Sequence, residues 1–243
     1  MDHHGGLAYT VEEQPKGFVV CLSAEVDLVA GLVIGAAGID AIRHTDEKRE
    51  LGVAALPVML GAHQLVEAVA WWGLEGRVVA VAGDIAVWVY LLFAFGVLPT
   101  YVPLAVARFE LDPARARLMR QLALTGAAVS LVLVAAMVRG PVEASIGGRY
   151  IAYQVSLSYG GLIVAGYAVA TCGALLVSSN PIIARFGVFN LAAVTFLAWL
   201  NTSGFASLWC AWAAVASLAV AFRLRSGPLA TGDPKHTGHL APG

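Results

Sequence analysis

The residues that could do chemistry are concentrated in one stretch of the sequence, which runs from Gly61 through AHQLVEAVA to Trp71. Residues three and four apart lie on the same side of a helix. His63 and Glu67 therefore share one face, and Gln64, Glu67 and Trp71 form an adjoining stripe. These side chains could bind a cation, a proton, a metal or a small polar ligand. The alternative is a structural hydrogen-bond network that holds helices together.

A second acid, Asp84, is expected at a matching depth. It lies about six residues into the third apolar segment, which would start at the end of the molecule where the segment containing Glu67 finishes. Two neighbouring carboxyl groups would share a proton or bind a cation. The alternative is that Asp84 lies higher in the molecule and is simply solvated.

A third polar element precedes the first apolar segment. Cys21, Glu25 and Asp27 could add ligands or a reactive thiol to the same pocket. The alternative is that Ser23 caps the first helix and that the two acids favour the positive end of its dipole. This alternative explains the acids but leaves Cys21 without a role. The predicted ligand- or ion-binding residues are Cys21, Asp27, His63, Gln64, Glu67, Trp71 and Asp84, and no cofactor or catalytic residue is assigned.

The composition indicates a protein that lies in a lipid bilayer. The chain has 243 residues, of which 59% are hydrophobic and 13% charged, and its mean hydropathy is +0.76. An average soluble domain carries roughly a quarter charged residues. The net charge of −1 offers no basic surface for nucleic acid. The three cysteines lie far apart and predict neither a disulfide framework nor a zinc ribbon.

Seven apolar segments can be recognised between charges and turn residues. Each predicts a membrane-spanning helix, because lipid offers no partners for open backbone groups. The third segment is long and contains Pro99 and Pro103, so it is either one kinked helix or a helix followed by an interfacial piece. The predicted fold is an all-α bundle of about seven transmembrane helices, with six or eight as alternatives. The segments are 28–42 (with the helix starting nearer Ser23), 51–73, 78–107, 117–138, 157–177, 182–200 and 204–222.

The basic residues predict the orientation of this bundle. With seven crossings, 11 of the 15 Lys and Arg residues fall on one side. Cytoplasmic loops are enriched in Lys and Arg, so we expect the amino terminus outside, the carboxyl terminus inside, and a location in the plasma membrane. Residues 1–19 are predicted to be a polar leader, 20–223 the membrane domain and 224–243 a disordered cytoplasmic tail.

Glycines recur along two of the predicted helices. Gly31 and Gly35 form a GxxxG motif in the first helix. Such a motif is typical of a close helix crossing, and it would equally suit a homo-oligomer or a membrane partner. The alternative is that glycine is simply common in membrane helices. The other glycine-rich helix is the fifth, with Gly160, Gly161, Gly166 and Gly173.

Several short motifs occur together in the first third of the chain. They are Cys-Leu-Ser-Ala at 21–24, Arg49-Glu50, Leu56-Pro57, Gly61, Gln64, Glu67 and Trp71. In these motifs the chain resembles an uncharacterised family of small bacterial multipass membrane proteins, whose members tend to begin Met-Cys-Phe-Ser-Ala and to carry Gln-Gln-x-x-Glu-Gly-x-x-Trp. Here Leu22, His63 and Ala68 depart from that pattern. The resemblance implies the architecture and no activity. It also raises the alternative that translation starts at Val19 or Val20, which would remove the leader.

Three functions fit these observations. The first is binding or transport of a cation, a proton or a small polar ligand in a pocket in the outer half of the bundle. The second is a membrane-embedded, metal-dependent hydrolase similar in fold to alkaline ceramidases. Catalytic zinc often takes three histidines, and His63 is the only histidine within a predicted helix, so Cys21 and carboxylates would have to substitute. The third is a sensory or accessory subunit. No lysine lies in the last predicted helix to hold retinal.

Overall fold

The computed structural model describes residues 23–200 and 205–227. Within these ranges the chain forms seven helices and one β-hairpin. The predicted leader, Cys21 and nearly all of the predicted tail lie outside the described residues. The helices are α1 (Ala24–Arg43), α2 (Leu51–Leu74), α3 (Ala80–Phe109), α4 (Pro113–Arg139), α5 (Gly160–Leu176), α6 (Pro181–Leu200) and α7 (Phe205–Arg225), and the strands between α4 and α5 are β1 (Val142–Ile146) and β2 (Ile151–Val155).

Four of these helices, α2, α3, α4 and α7, are long and apolar enough to cross a membrane. α5 and α6 are apolar but shorter in the described part of the chain. The outer face of α4 shows why lipid is needed. Leu124, Leu131 and Val138 recur every seven residues and are 72%, 72% and 73% exposed. A continuous aliphatic stripe of this kind is unfavourable in water and favourable against acyl chains, as expected for a membrane protein.

The glycines of α1 are used for packing against α2. A side chain at Gly61 would bring its Cβ within 2.5 Å of the backbone nitrogen of Gly35. A Cβ at Gly31 would lie 2.8 Å from the carbonyl oxygen of Gly61. Only glycine allows the two backbones to approach this closely. The GxxxG motif of α1 therefore forms a close crossing within the chain.

α3 is one continuous helix whose middle turn, Leu92–Val97, is π-helical. The amide of Leu98 donates to the carbonyl oxygen of Phe93, five residues earlier. The next bond of this type would need an N–H at Pro99, which proline lacks. The carbonyl oxygen of Ala94 instead accepts a hydrogen bond of 2.7 Å from the hydroxyl of Tyr167 in α5. α3 therefore continues through its prolines, and one of its turns is wider than an α-helical turn.

The β-hairpin was not predicted from the sequence. β1 and β2 are antiparallel, with Val142 paired to Val155 and Ile146 to Ile151. Ile151 is fully buried, and it belongs to an apolar cluster that includes residues of α1, α2, α3 and α7. The hairpin therefore covers one end of the bundle, where α1 begins and α2 finishes. We call this end the hairpin end.

The opposite end is held by Glu110, which lies between α3 and α4. Its carboxylate accepts hydrogen bonds from the backbone amides of Leu111, Asp112 and Ser179 and from the hydroxyls of Ser178 and Ser179. Partial burial raises the pKa of Glu110, but the hydrogen bonds outweigh burial and hold it below its ordinary value. We call this arrangement the Glu110 clamp. It joins the α3–α4 turn to the loop between α5 and α6.

Candidate functional site

Two buried acids meet on one amide near the hairpin end. The side-chain nitrogen of Gln64 donates to Oδ1 of Asp27 at 3.3 Å and to Oε2 of Glu67 at 3.2 Å. Asp27 is 2%, Gln64 1% and Glu67 0% exposed. Two carboxyl groups cannot both remain ionised at such a place unless a positive charge lies beside them. A shared proton or a bound cation therefore satisfies this geometry. We call these three residues the acid-pair site.

The sequence explains why these three side chains converge. Gln64 and Glu67 are three residues apart on α2 and so share a face. Asp27 is one turn before Gly31 on α1, and Gly61 is one turn before Gln64 on α2. The close contact between Gly31 and Gly61 therefore sets the distance between α1 and α2 one turn below the acids. The beginning of α1 is fixed by Ser23, whose hydroxyl accepts from the amide of Val26 at 3.4 Å, which is the cap that the alternative interpretation of this segment expected.

Several buried polar atoms around the acid pair have no hydrogen-bond partner among the described residues. They include Oδ2 of Asp27, Oε1 of Gln64 and Oε1 of Glu67. The hydroxyls of Tyr153 and Ser207 are also buried and have no described hydrogen-bond partner. An unpartnered buried polar atom destabilises a fold by roughly 1–3 kcal/mol, and such atoms are few in native proteins. Their concentration at one place makes this region the candidate site.

Aromatic rings form one wall of this region. The rings of His63 and Tyr90 stack with centroids 4.0 Å apart, and those of Tyr90 and Tyr153 stack at 4.7 Å. Tyr90 and Ser207 lie close to the Glu67 carboxyl group. The stack joins α2, α3 and β2. His63 therefore serves here as a buried ring of the stack.

A cleft opens from the acid-pair site towards the side of the bundle. It has a volume of about 470 Å³ and lies between α1, α6 and α7. Asp27 and Gln64 line it, while most of its other lining side chains are aliphatic or aromatic. Phe196 and Trp212 lie at its outer part and are exposed. The acid pair thus has a lateral opening with apolar walls.

The structure brings together most of the residues proposed from the sequence. Asp27, Gln64 and Glu67 are in direct contact, and the indole nitrogen of Trp71 lies near the Asp27 carboxyl group. No described atom accepts a hydrogen bond from that nitrogen in good geometry. Asp84 is exposed on α3, so the expected pairing of Glu67 with Asp84 is replaced by pairing with Asp27.

Three residues of this region are not among the predicted binding residues: Tyr90, Tyr153 and Ser207. Tyr90 lies two turns beyond Gly83 on α3, and its polar group within an apolar helix was the available signal. Tyr153 lies in β2, before the start of the fifth predicted segment at residue 157. Ser207 comes from the first turn of α7, and nothing in its sequence context marks it.

Within residues 23–200 and 205–227, no group of three or more His, Cys, Asp and Glu side chains lies close enough to hold a metal ion. His63 is engaged in the aromatic stack, and the two acids are bridged by an amide. Cys21, which the hydrolase alternative requires as a ligand, lies outside the described residues.

Residues 20–234 match the Family of unknown function (DUF6629). The chain belongs to this family, which confirms the expected membership of an uncharacterised family. No curated protein and no solved structure matches the chain.

Proposed function

We propose that this protein binds a cation in exchange for a proton at the acid-pair site. The family to which the chain belongs has no assigned activity. The observation that carries this proposal is the meeting of two buried carboxyl groups on the single amide of Gln64. Each carboxyl group keeps one oxygen without a described partner. One positive charge at this place would reduce the charge of the two acids from −2 to −1, and a proton is the smallest group that can supply it.

The electrostatics favour a cation over an anion. Apart from the indole nitrogen of Trp71, the polar groups described around the acid pair are carboxyl, amide and hydroxyl groups, which offer oxygen atoms to a positive ligand. At this end of the bundle, the guanidinium of Arg77 pairs with Glu25 at 2.7 Å and with Glu75 at 3.2 Å. That arginine is therefore occupied by two exposed acids at the surface. The acid pair itself is left negative whenever its proton leaves.

We further propose that all seven helices cross the plasma membrane, with the hairpin end outside. α1 carries its charges near its two ends, and between Asp27 and Asp40 it exposes the aliphatic side chains of Val29, Leu32 and Val33. This pattern suits a helix that faces lipid along its middle. The excess of Lys and Arg at the Glu110 end favours a cytoplasmic position for that end. The acid-pair site then opens in the outer half of the membrane.

Infrared spectroscopy of the purified protein in lipid nanodiscs tests the proton. We expect a carbonyl stretching band of a protonated, buried carboxylic acid at neutral pH, because burial next to a second carboxyl group disfavours ionisation. The band should decrease when the pH is raised. It should be lost or strongly reduced in the Glu67→Gln variant and altered in Asp27→Asn.

The matched control is Asp84→Asn, which removes an exposed acid from the same end of the bundle. This variant should keep the band of the unmodified protein. If the band is absent at all pH values, or is the same in all three variants, the acid pair holds no proton and the proposed function is wrong.

A further inference from the structure

We infer that the cation taken by the acid pair is amphipathic, and that its apolar body lodges in the cleft between α1, α6 and α7. This inference rests on the proposed function, since the acid pair supplies the negative charge. The apolar lining of the cleft indicates the chemistry of the rest of the ligand. A lipophilic organic cation that reaches the site from the membrane fits both parts.

The lining of the cleft is polar at its inner part and apolar elsewhere. Asp27 and Gln64 lie at its inner part, and each has a buried oxygen without a described partner. The rest of the lining consists chiefly of side chains such as Val26, Phe196 and Trp212. An apolar body would bury surface against these side chains, while its charged group would come to lie at the acids. The cleft volume of about 470 Å³ is that of a site for a small organic molecule.

A hydrated inorganic ion suits this cleft poorly. Such an ion would lose its water along walls that offer almost no polar atoms, and removal of a charge from water without replacement is costly. An organic cation has a diffuse charge and an apolar surface of its own.

The cleft opens on the lateral surface of the bundle. Val26, Phe196 and Val215 line the cleft and are at the same time exposed on the outside of the bundle. In a membrane-spanning bundle these side chains face acyl chains. A ligand dissolved in the lipid can therefore enter sideways, without crossing the hairpin or the ion pair of Arg77 and Glu25.

Binding of tetraphenylphosphonium to the protein in nanodiscs, measured by equilibrium dialysis against nanodiscs without protein, tests this inference. We expect saturable binding of tetraphenylphosphonium and no saturable binding of tetraphenylborate, which has the same shape and the opposite charge. Tetramethylammonium, which has the charge but little apolar surface, should bind at least tenfold more weakly. Bound tetraphenylphosphonium should also reduce the infrared band of the protonated acid.

Two variants separate the cleft from the acids. Asp27→Asn should weaken tetraphenylphosphonium binding at least tenfold, with Asp84→Asn as the control that leaves binding unchanged. Ala193→Phe fills part of the cleft and should also weaken binding at least tenfold. Its control is Ala192→Phe, which places the same side chain on the neighbouring, exposed position outside the cleft. An intact infrared band in Ala193→Phe shows that this variant still forms the acid-pair site.

Saturable binding of tetraphenylborate, equal binding of tetramethylammonium, or no effect of Ala193→Phe would each overturn the inference. Absence of tetraphenylphosphonium binding would overturn it as well. In all four cases, a Glu67-dependent infrared band would leave the proposed function standing. Loss of that band in the unmodified protein would remove both.

Discussion

Two buried glutamates, Glu67 and Glu110, lie near opposite ends of the same bundle and differ in the hydrogen-bond donors that surround them. Glu110 accepts hydrogen bonds from five donors and joins two loops. Glu67 shares a single amide with a second acid, and one of its oxygens has no described partner. A buried carboxylate that stabilises a fold is surrounded by donors. One that is left without them, beside another acid, is better explained by a ligand.

The largest expected effect is the loss of the Glu110 clamp. Glu110→Ala should lower the free energy of unfolding by about 2–3 kcal/mol, because five donors, most of them partly buried, lose their acceptor at once. Unfolding by denaturant in mixed micelles measures this change. The control is Asp46→Ala, which removes an exposed acid from another loop at the same end and should have little effect. Equal stability of the two variants would show that the clamp is dispensable.

The next effect has the opposite sign. Glu67→Gln should leave the free energy of unfolding unchanged or raise it by roughly 1 kcal/mol, since it removes an ionisable group buried beside a like group. The same denaturant titration measures it. A loss of stability as large as that of Glu110→Ala would mean that Glu67 is also a structural carboxylate, and the contrast between the two ends would disappear.

The Glu110 clamp should also respond to pH, in a direction fixed by its lowered pKa. A group whose pKa is lower in the folded protein stabilises the fold above its unfolded value, which is ordinarily near 4.5. This contribution is lost as the pH falls through the lower, folded value. The stability difference between the unmodified protein and Glu110→Gln should therefore be constant near neutral pH and shrink below about pH 4.5. A difference that grows in acid would contradict this assignment.

The smallest effect is expected at Arg77. Its hydrogen bond with Glu25 raises the pKa of the arginine, but both partners are exposed and screened by solvent. Arg77→Gln should shift the thermal midpoint of the protein little, and the shift should vanish at high salt. Thermal unfolding at two salt concentrations measures this. A large, salt-independent shift would show that this ion pair is a true counterpart of the Glu110 clamp at the hairpin end.

Most of the helices could be predicted from the sequence, because an apolar run of about 20 residues between charges has one stable form in lipid. The segment 51–73 became Leu51–Leu74, and 117–138 became part of Pro113–Arg139. The hairpin could not be predicted in this way. Its two strands have five residues each, and strands this short carry little periodicity.

The acid-pair site could be predicted in part. Spacing along α2 placed Gln64 and Glu67 together, since helical geometry is local. The choice of the second acid depended on how α3 is turned about its axis, and sequence depth does not fix that. Gly83 packs against the backbone of Gly73 in α2, so Asp84, one residue later, points away by about 100°. Asp27 reaches Glu67 instead, through the glycine contacts between α1 and α2.

The widened turn at Leu92–Val97 determines how the two halves of α3 are phased. It places one residue more in that turn than an α-helix would hold, so Tyr90 before it and Pro103 after it stand in angular positions that a regular helix would not give them. Deleting a single residue within 92–97 would rotate Ala80–Leu91 by about 100° against Leu98–Phe109. The aromatic stack beside the acid pair would then lose its middle ring, Tyr90. The hydropathy pattern along the sequence would hardly change.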